Sequence, residues 1–357
     1  MFEVSFHYSW LPGQPTSKSG EAQLFAMLEG VHEAGSLRAA VSRAGLSYRY
    51  AWGLIGRWEK LFGQKLVVME RGRGTRLTPL GEKLLWAQKR VQARLTPQLQ
   101  SLSAELEREL AQVLDADGQR ITMAASHDLA LTAFKQSLAK SGGPRLDIRF
   151  AGSEPSLAAL VAGEVELAGF HVSPSMPDEV RACRERLGRK HMLIRFVRRS
   201  QGLIVASGNP LGIRKLADVA RPGGSKKAVR FINRQRGSGT RLALDQLLAR
   251  DGIKASRIQG YDHEEYTHLA VAATIASGQA DAGLGIASAA HQFGLDFIPL
   301  FDEDYYFACR VGQLESAAMR TLVTHLGKPA WRQQLRKLAG YSTVDMGTAV
   351  APEDALR

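Results

Sequence analysis

Residues 231–241 read FINRQRGSGTR, and this stretch decides the fold of the longer part of the chain. The apolar run Val229–Ile232 predicts a short strand, and the glycines at 237 and 239 predict a turn. The leucines that follow Thr240 recur at helical spacing and predict a helix. A strand that leads through a Gly/Ser turn into a helix leaves backbone N–H groups unpaired, and together with the helix dipole they favour an anion.

Side chains in the same stretch can strengthen such a site. Ser238 and Thr240 offer hydroxyl donors, and Arg236 or Arg241 can add charge. An ordinary capped helix in an α/β sheet is the alternative interpretation. The phosphate-loop pattern GxxxxGK[ST] does not occur here, which argues against nucleotide hydrolysis.

Composition places the chain among globular proteins of two or three domains. It has 357 residues, 45% of them hydrophobic and 23% charged. We expect no secretory leader and no membrane-spanning helix, and therefore a cytoplasmic protein. The two cysteines, Cys183 and Cys309, are too few for a disulfide framework or a metal cluster.

The net charge of +12 is concentrated in two regions. Residues 36–94 hold thirteen Lys/Arg and three acids, and residues 178–236 hold sixteen and four. Two basic regions indicate two anionic partners, or one partner and one solvated basic surface. Whether the second region lines a ligand cleft or the surface stays open at this point.

Residues 1–95 have the pattern of a winged helix-turn-helix. An amphipathic helix is predicted over Glu21–Ala34, a second over Leu37–Ala44 capped by Ser36, and a third over Tyr48–Phe62 capped by Ser47. Arg49 and Tyr50 lie in the first turn of the third helix, where a recognition helix presents side chains to base edges. Two short strands, Lys65–Glu70 and Arg76–Thr78, then flank the basic turn RGRGT, which suits phosphate contact.

Residues 20–90 resemble the winged-helix region of LysR-type regulators and, more closely, the molybdate-responsive ModE-type variant. The resemblance rests on Ser47-Tyr48-Arg49, Ala51-Trp52 and the wing that ends in Thr75-Arg76-Leu77-Thr78-Pro79. It implies binding of double-stranded DNA. The implied DNA-binding residues are Ser47, Tyr48, Arg49, Tyr50, Arg57, Arg71, Arg73, Thr75 and Arg76.

Residues 96–118 are predicted to be a linker that follows the helix Leu80–Arg94. Pro97, with Thr96 as N-cap, predicts the start of a second helix that runs to Leu114, and Asp115–Gly118 a hinge. Leucines and valines recur at three- and four-residue steps along both helices and form an apolar seam. This seam predicts pairing with a second copy, while packing on the chain's own domain is the alternative. LysR-type proteins dimerise through such a helix, so the resemblance implies a homodimer, with a tetramer as a further option.

Residues 119–357 alternate strands and helices, which predicts a mostly parallel sheet. In open α/β sheets, ligands bind at the carboxyl ends of the strands. Four predicted helix starts supply donors there, at Ser126/His127, Ser153, Ser238/Thr240 and Thr267/His268.

This half resembles the type 2 periplasmic-binding-protein fold, and within it a group found in regulators and molybdenum-cofactor proteins. The segments that carry the resemblance are QGLIVASGNPLGI (201–213), FINRQRGSGTR (231–241), EEYTHLAVAATIASGQADAGLGI (264–286) and GLDFIPL (294–300). The resemblance implies lobe I at about 119–200 and 301–357, lobe II at about 201–300, and crossing strands near Ile194–Ser207 and Phe301–Arg310. It implies a small anionic effector, with molybdate or tungstate favoured and no other cofactor. The candidate ligand-binding residues are Ser126, His127, Ser153, Arg236, Ser238, Gly239, Thr240, Thr267 and His268.

The candidate acid–base groups do not form a known catalytic motif. Histidines at 127, 171, 191, 263 and 268 match no HExxH, GxSxG or Cys/His pattern, so we expect neither an enzyme nor a metal site. The sequence therefore predicts an α/β protein with an N-terminal winged helix-turn-helix, a linker helix and a two-lobed periplasmic-binding-protein-like domain. The function it predicts is transcriptional regulation by an anion. The alternatives are a solute-binding or molybdenum-cofactor-related accessory protein, and a regulator that senses a small carboxylate or phosphorylated anion.

Overall fold

The computed structural model describes residues 4–10, 17–70, 74–113, 119–221, 227–343 and 345–356. It divides into two compact units. One comprises Phe6–Gln92, and the other comprises Ala93–Arg357 together with Met1–Ser5. The first is called the N-terminal unit and the second the two-lobed domain.

The N-terminal unit contains three helices and a two-stranded hairpin, in the order of a winged helix-turn-helix. The helices are α1 (Ser17–Ala34), α2 (Leu37–Arg43) and α3 (Tyr48–Phe62), and the strands β1 (Val67–Glu70) and β2 (Gly74–Leu77) pair antiparallel.

Local sequence signals set the helix ends of this unit. The hydroxyl of Ser36 accepts a hydrogen bond from the Ala39 amide, and that of Ser47 accepts one from the Tyr50 amide. Helix α3 ends at Gly63, which adopts the left-handed conformation that glycine tolerates. The predicted caps and the predicted span of α3 are confirmed. The turn of the wing, with Arg71 and Arg73, lies outside the described residues.

The linker prediction was wrong at one point. A single helix, α4, runs from Pro79 to Val113 with Pro97 inside it, so Thr96 does not cap a new helix. A proline within a helix removes one N–H and leaves the carbonyl four residues earlier without its donor. That carbonyl belongs to Ala93, and it accepts a hydrogen bond of 3.0 Å from the Thr267 hydroxyl instead. The predicted hinge Asp115–Gly118 lies outside the described residues.

The two-lobed domain is built on one mixed sheet in the order β4-β3-β5-β10-β6-β9-β7-β8. Strands β3, β4 and β5 run parallel in lobe I, and β7, β8 and β9 run parallel in lobe II. The strands are β3 (Arg120–Ala125), β4 (Arg145–Phe150), β5 (Leu167–Val172), β6 (His191–Val205), β7 (Phe231–Arg234), β8 (Glu264–Glu265), β9 (Ala282–Ile286), β10 (Asp296–Arg310), β11 (Tyr341–Ser342) and β12 (Ala349–Val350).

Strands β6 and β10 join the lobes, as the sequence predicted. Each has fifteen residues, and they pair antiparallel along most of their length. Strand β10 also pairs with β5 of lobe I, and β6 also pairs with β9 of lobe II, so the two strands pass from one lobe into the other. The segments 202–205 and 297–300 are the lobe II ends of these two strands.

Helices cover both faces of the sheet and begin where strands end. They are α5 (Leu129–Lys140), α6 (Ser153–Ala162), α7 (Pro177–Leu187), α8 (Gly239–Arg250), α9 (His268–Ala276), α10 (Ala287–Gln292), α11 (Ala317–Leu326), α12 (Pro329–Leu335) and α13 (Pro352–Ala355). The segment Leu216–Ala220 is a short 3₁₀ helix. Apolar clusters fill each lobe, and Cys183 and Cys309 are buried free thiols, with pKa values raised to about 12 by burial.

Candidate functional site

Two predicted ligand residues of lobe I meet where strands β3 and β4 end. The hydroxyls of Ser126 and Ser153 are 3.0 Å apart, and the Ser153 oxygen also accepts a hydrogen bond from the His171 amide. Helix α6 begins at Ser153 after Gly152 and has no side-chain cap. Since its third residue is a proline, the free donors of this helix start are the amides of Ser153 and Glu154.

Helix α5 differs from the prediction. It begins at Leu129, and its N-cap is Asp128, whose carboxylate accepts hydrogen bonds from the amides of Ala130 and Leu131. This helix start therefore already holds a negative charge. Ser126 and His127 precede the helix and can contribute side-chain groups, but not the free amides of a helix start.

The glycine turn of lobe II contributes a partly open helix start. The Ser238 hydroxyl accepts a hydrogen bond from the Arg241 amide and so caps α8. The amides of Gly239 and Thr240 have no hydrogen-bond partner among the described residues. The Thr240 hydroxyl accepts a hydrogen bond of 3.3 Å from the Gln201 amide nitrogen on crossing strand β6.

The two open helix starts approach each other from opposite lobes, and we call the region between them the cleft. A Cβ placed on Gly152 of lobe I would lie 3.9 Å from the carbonyl oxygen of Gly237 of lobe II. The structure thus brings Ser126, Ser153 and the 237–240 turn to the same cleft.

Thr267 is occupied by main-chain partners. Its hydroxyl accepts a hydrogen bond from the Ala270 amide as the N-cap of α9 and donates one to the Ala93 carbonyl of α4. A hydroxyl has a single proton, so this one has none left for a ligand. The structure therefore places Thr267 in the attachment of α4 to lobe II.

Further contacts attach the same helix to both lobes. The Arg94 guanidinium makes two hydrogen bonds, of 2.6 and 2.7 Å, to the Glu265 carboxylate of lobe II. Toward lobe I, the Ser101 hydroxyl accepts a hydrogen bond of 3.0 Å from the Phe150 amide, and Glu107 pairs with Arg145. Residues 93–107 of α4 therefore bridge the lobes.

A buried ionic group connects the crossing strands to lobe I. We call Asp128, His171, Arg199, Glu303 and Tyr341 the hinge cluster. Arg199 of β6 is paired with Asp128 at 2.6 Å and with Glu303 of β10 at 2.5 Å, and the Tyr341 hydroxyl donates to Asp128 at 2.7 Å. Although burial opposes ionisation, the charge of Arg199 lowers the pKa values of Asp128 and Glu303, so both carboxylates stay ionised.

The histidines around this cluster are neutral at physiological pH. Burial lowers the pKa of His127 to about 4 and moves the pKa of His268 well below its usual value. Burial and the charge of Arg199 likewise lower the pKa of His171. These imidazoles therefore offer hydrogen bonds but no charge to a ligand.

The arginine that the sequence indicated is not in the cleft group. Arg236 is exposed, and its guanidinium pairs with Asp262 and Glu264 at the surface. Arg241 packs over the Tyr261 ring, 4.0 Å from its centroid. Arg234, which sequence reasoning did not select, is buried at the end of β7.

Three residues close to the cleft were missed because polar side chains on strands carry no motif. They are Arg199 and Gln201, two residues apart on β6, and Arg234. The sequence did contain one signal for them, which is a charged or amide side chain among apolar residues of a predicted strand. Such a polar group is buried only when it is paired, so its position indicates a buried partner.

The predicted DNA-binding side chains of α3 lie on one exposed face. Tyr48, Arg49, Tyr50 and Arg57 are exposed, as is the cap residue Ser47. The opposite face of α3 is buried through Ala51, Leu54, Ile55 and Trp58. On the wing, Arg76 is exposed and pairs with Glu70, whereas Thr75 is 4% exposed and its amide is bonded to the Gly35 carbonyl. Thr75 thus belongs to the packing of the wing.

The described part of the chain lacks the features of two other kinds of site. It contains no group of three or more His, Cys, Asp or Glu that could hold a metal ion. Among its helices, none combines the length and the apolarity needed to cross a membrane.

Comparison with known proteins assigns the fold to a family. The model of the PBP superfamily domain matches residues 135–327, more than half of the chain. The chain belongs to the PBP superfamily. The match covers strands β4 to β10 and helices α6 to α11, which include Ser153 and the 237–240 turn.

Individual proteins give weaker likenesses. The Bacillus subtilis (strain 168) protein YvgK is 29% identical over 254 residues, 70% of this chain and 80% of YvgK. The molybdenum-pterin-binding protein MopB of Rhodobacter capsulatus is 33% identical over 97 residues, 26% of this chain and 36% of MopB. The chain is similar to ArgP from Mycobacterium tuberculosis with TM-score 0.41 and 21% identity, covering 85% of this chain and 94% of ArgP. It is similar to CbnR, a LysR family transcriptional regulator, with TM-score 0.39 and 19% identity, covering 85% of this chain and 98% of CbnR.

Proposed function

We propose that this PBP superfamily protein is a DNA-binding transcriptional regulator that senses a small anion in its two-lobed domain. The observation that carries the proposal is the division of α3 into two faces. One face is packed into the apolar core of the N-terminal unit, and the other presents Arg49, Arg57 and two tyrosines to solvent. A helix with one buried and one exposed face, preceded by a shorter helix and a turn, is suited to the major groove of DNA.

The effector part of the proposal rests on the cleft. Unpaired amides at the starts of α6 and α8 and the hydroxyls of Ser126 and Ser153 are donors of the kind that oxyanions accept. Molybdate and tungstate are the first ligands we propose. The partial likeness to MopB, named for binding molybdenum-pterin, supports them. A small carboxylate or a phosphorylated anion is the alternative ligand of the same cleft.

Helix α4 supports a homodimer. Leu102, Leu106 and Leu110 are exposed at four-residue intervals in the half of α4 that follows Pro97. Such a row is suited to packing against the same helix of a second copy. A dimer would place two α3 helices on a partly palindromic operator.

Substitution of Arg49 or Arg57 by alanine is expected to weaken operator binding by about 10- to 100-fold, since a specific base contact is worth about 1–3 kcal/mol. Gel-shift titrations at a fixed salt concentration, with DNA from upstream of the coding sequence, measure the effect. The palindromic site should bind more tightly than one half-site.

Arg320→Ala is the control for this experiment. It removes the same charge from an exposed position of α11 in the other unit. It is therefore expected to leave binding near the wild-type value. Wild-type protein that binds scrambled DNA as tightly as the upstream sequence would contradict the regulator. That outcome would favour the second candidate, a solute-binding accessory protein, which the likeness to MopB suggests.

A rise in melting temperature is expected with one anion out of molybdate, tungstate, sulfate, phosphate and small carboxylates. A ligand that binds only the folded state at a hundred times its Kd stabilises that state by about 2.7 kcal/mol. Thermal-shift titration of the full chain measures this. The absence of a rise with all of these anions would contradict anion sensing.

A further inference from the structure

Arg234 is a buried cation for which the described residues supply no carboxylate partner. Its side chain lies at the end of β7 and is 9% exposed. The guanidinium donates to two neutral acceptors, the Gln235 side-chain oxygen at 3.2 Å and the Tyr266 carbonyl at 3.0 Å. No ion pair of Arg234 is found in the described part of the chain, and its second terminal nitrogen, Nη1, makes no hydrogen bond there.

The other arginines around the cleft do have carboxylates. Arg199 lies between Asp128 and Glu303, and Arg94 binds Glu265. Arg241 contacts Asp245 and Glu264. None of these carboxylates forms an ion pair with Arg234, and Glu303 and Glu265 act on its guanidinium only from a longer distance, where they favour the charged form.

A buried charge without a counterion is unfavourable, because it has lost its hydration and gained no ionic partner. Burial, assisted by the charge of Arg199, lowers the pKa of Arg234 to about 10, so the guanidinium is still charged at neutral pH. A protein keeps such a group when the missing partner arrives with a ligand.

His268 gives a second, independent indication. Its side chain is 6% exposed, and its Nε2 lies 3.5 Å from a terminal nitrogen of Arg199. Because a guanidinium can only donate, Nε2 is the acceptor, and the proton of the neutral ring is on Nδ1. Nδ1 is buried and has no partner among the described residues. The Arg234 guanidinium donates to the carbonyl of Tyr266, two residues before His268, and the charge of Arg234 contributes to the lowered pKa of His268.

We infer that Arg234 is the charge-pairing residue for the effector and that the Nδ1–H of His268 donates to the same anionic group. The inference rests on the proposed anion-sensing function and specifies its chemistry. A forked guanidinium and a separate N–H donor fit a group with at least two adjacent oxygens, such as a tetrahedral oxyanion or a carboxylate. The effector is therefore held by a full charge as well as by helix-start amides.

Arg234→Gln tests the inference, with Arg236→Gln as the matched control. The control makes the same substitution two residues away, at an exposed arginine already paired at the surface. Thermal-shift and calorimetric titrations with molybdate, phosphate and oxalate are made on the full chain. We expect Arg234→Gln to weaken binding of the anion that wild type binds by at least about tenfold. Arg236→Gln should bind as wild type does.

The ligand-free protein provides a second measurement. Removing an uncompensated buried charge is expected to leave the melting temperature of Arg234→Gln equal to or above that of wild type, while the ligand-induced rise is lost. Arg234→Lys keeps the charge without the fork and should retain part of the affinity. If Arg234→Gln does not fold, the affinity of Arg234→Lys is measured in its place.

The failures are distinguishable. Equal affinity in Arg234→Gln and Arg236→Gln, with a clear rise in wild type, would overturn the role of Arg234 and leave anion sensing intact. No rise in wild type with molybdate, tungstate, sulfate, phosphate or any small carboxylate would overturn both. Loss of affinity for molybdate and phosphate alone identifies a tetrahedral oxyanion site, and loss for oxalate alone identifies a carboxylate site.

Discussion

Arg199→Met is expected to destabilise the two-lobed domain by about 3–5 kcal/mol, because it leaves the carboxylates of Asp128 and Glu303 buried without their cation. The three side chains are all less than a tenth exposed, and Arg199 contacts both acids at 2.5–2.6 Å. Urea unfolding followed by circular dichroism measures the change, provided that the two units are resolved as separate transitions or are fitted together.

The neighbouring residue is the control. Arg198 forms a two-hydrogen-bond ion pair with Asp304, with the guanidinium half exposed. Arg198→Met removes the same charge from the same strand, but the Asp304 carboxylate that it leaves unpaired can be hydrated. The expected cost is about 0–1 kcal/mol. Equal costs for the two variants would show that the hinge cluster is not an energetically coupled buried group.

The pH dependence has a definite sign. In wild type the folded-state pKa values of Asp128 and Glu303 lie below their ordinary values. Their contribution to stability is therefore present above the unfolded-state pKa and is lost as the pH falls through the folded-state pKa. Without Arg199, burial raises the pKa values of both acids. Protonation of Asp128 and Glu303 then reduces the destabilisation of the variant as the pH falls. The difference between variant and wild type is expected to shrink as the pH is lowered from neutral toward the unfolded-state pKa of the two acids.

Local chemistry was sufficient to predict the N-terminal unit. Ser36 and Ser47 are good N-caps, and Gly63 tolerates the left-handed backbone at the end of α3. These effects act within one helical turn, so they can be read without knowing the rest of the fold. The same holds for the strand, turn and helix at 231–250, which the structure contains as β7, a glycine turn and α8.

Side-chain direction could not be predicted in the same way. Arg198 and Arg199 are adjacent and identical, yet one faces solvent and the other is in the hinge cluster. Arg234 is the last residue of β7 and Arg236 lies in the turn beyond it, and the sequence favoured the exposed residue of the two. Residues of a strand alternate between its two faces, but which face meets the cleft depends on how the lobes are joined by β6 and β10. Distant pairing therefore decides which arginine is buried.

Pro97 shows how a distant partner overrides a local rule. A proline at this position normally ends or kinks a helix, because it removes a donor and crowds the preceding turn. Here the freed carbonyl of Ala93 is satisfied by the Thr267 hydroxyl, 174 residues away in the chain. The helix continues to Val113 and can bridge the lobes only because this hydrogen bond replaces the missing one.

Thr267→Val is expected to cost about 2–4 kcal/mol, since it removes two interactions of one hydroxyl. Loss of the N-cap of α9 costs about 1 kcal/mol. Leaving the buried Ala93 carbonyl without a donor costs about 1–3 kcal/mol more. Urea unfolding of the full chain measures the sum. Thr267→Ser keeps the hydroxyl and should cost less than about 1 kcal/mol, so it separates the hydrogen bonds from the loss of a methyl group.

Pro97→Ala shows whether the unpaired Ala93 carbonyl accounts for the larger part of the cost of Thr267→Val. Alanine restores the N–H that Ala93 lacks, so in the double variant Pro97→Ala, Thr267→Val the carbonyl regains a donor from its own helix. The double variant should then lose only the cap, and the double-mutant cycle should show a coupling of about 1–3 kcal/mol. Additive costs would mean that the hydroxyl does not replace the proline's missing donor. In that case α4 must tolerate Pro97 for another reason.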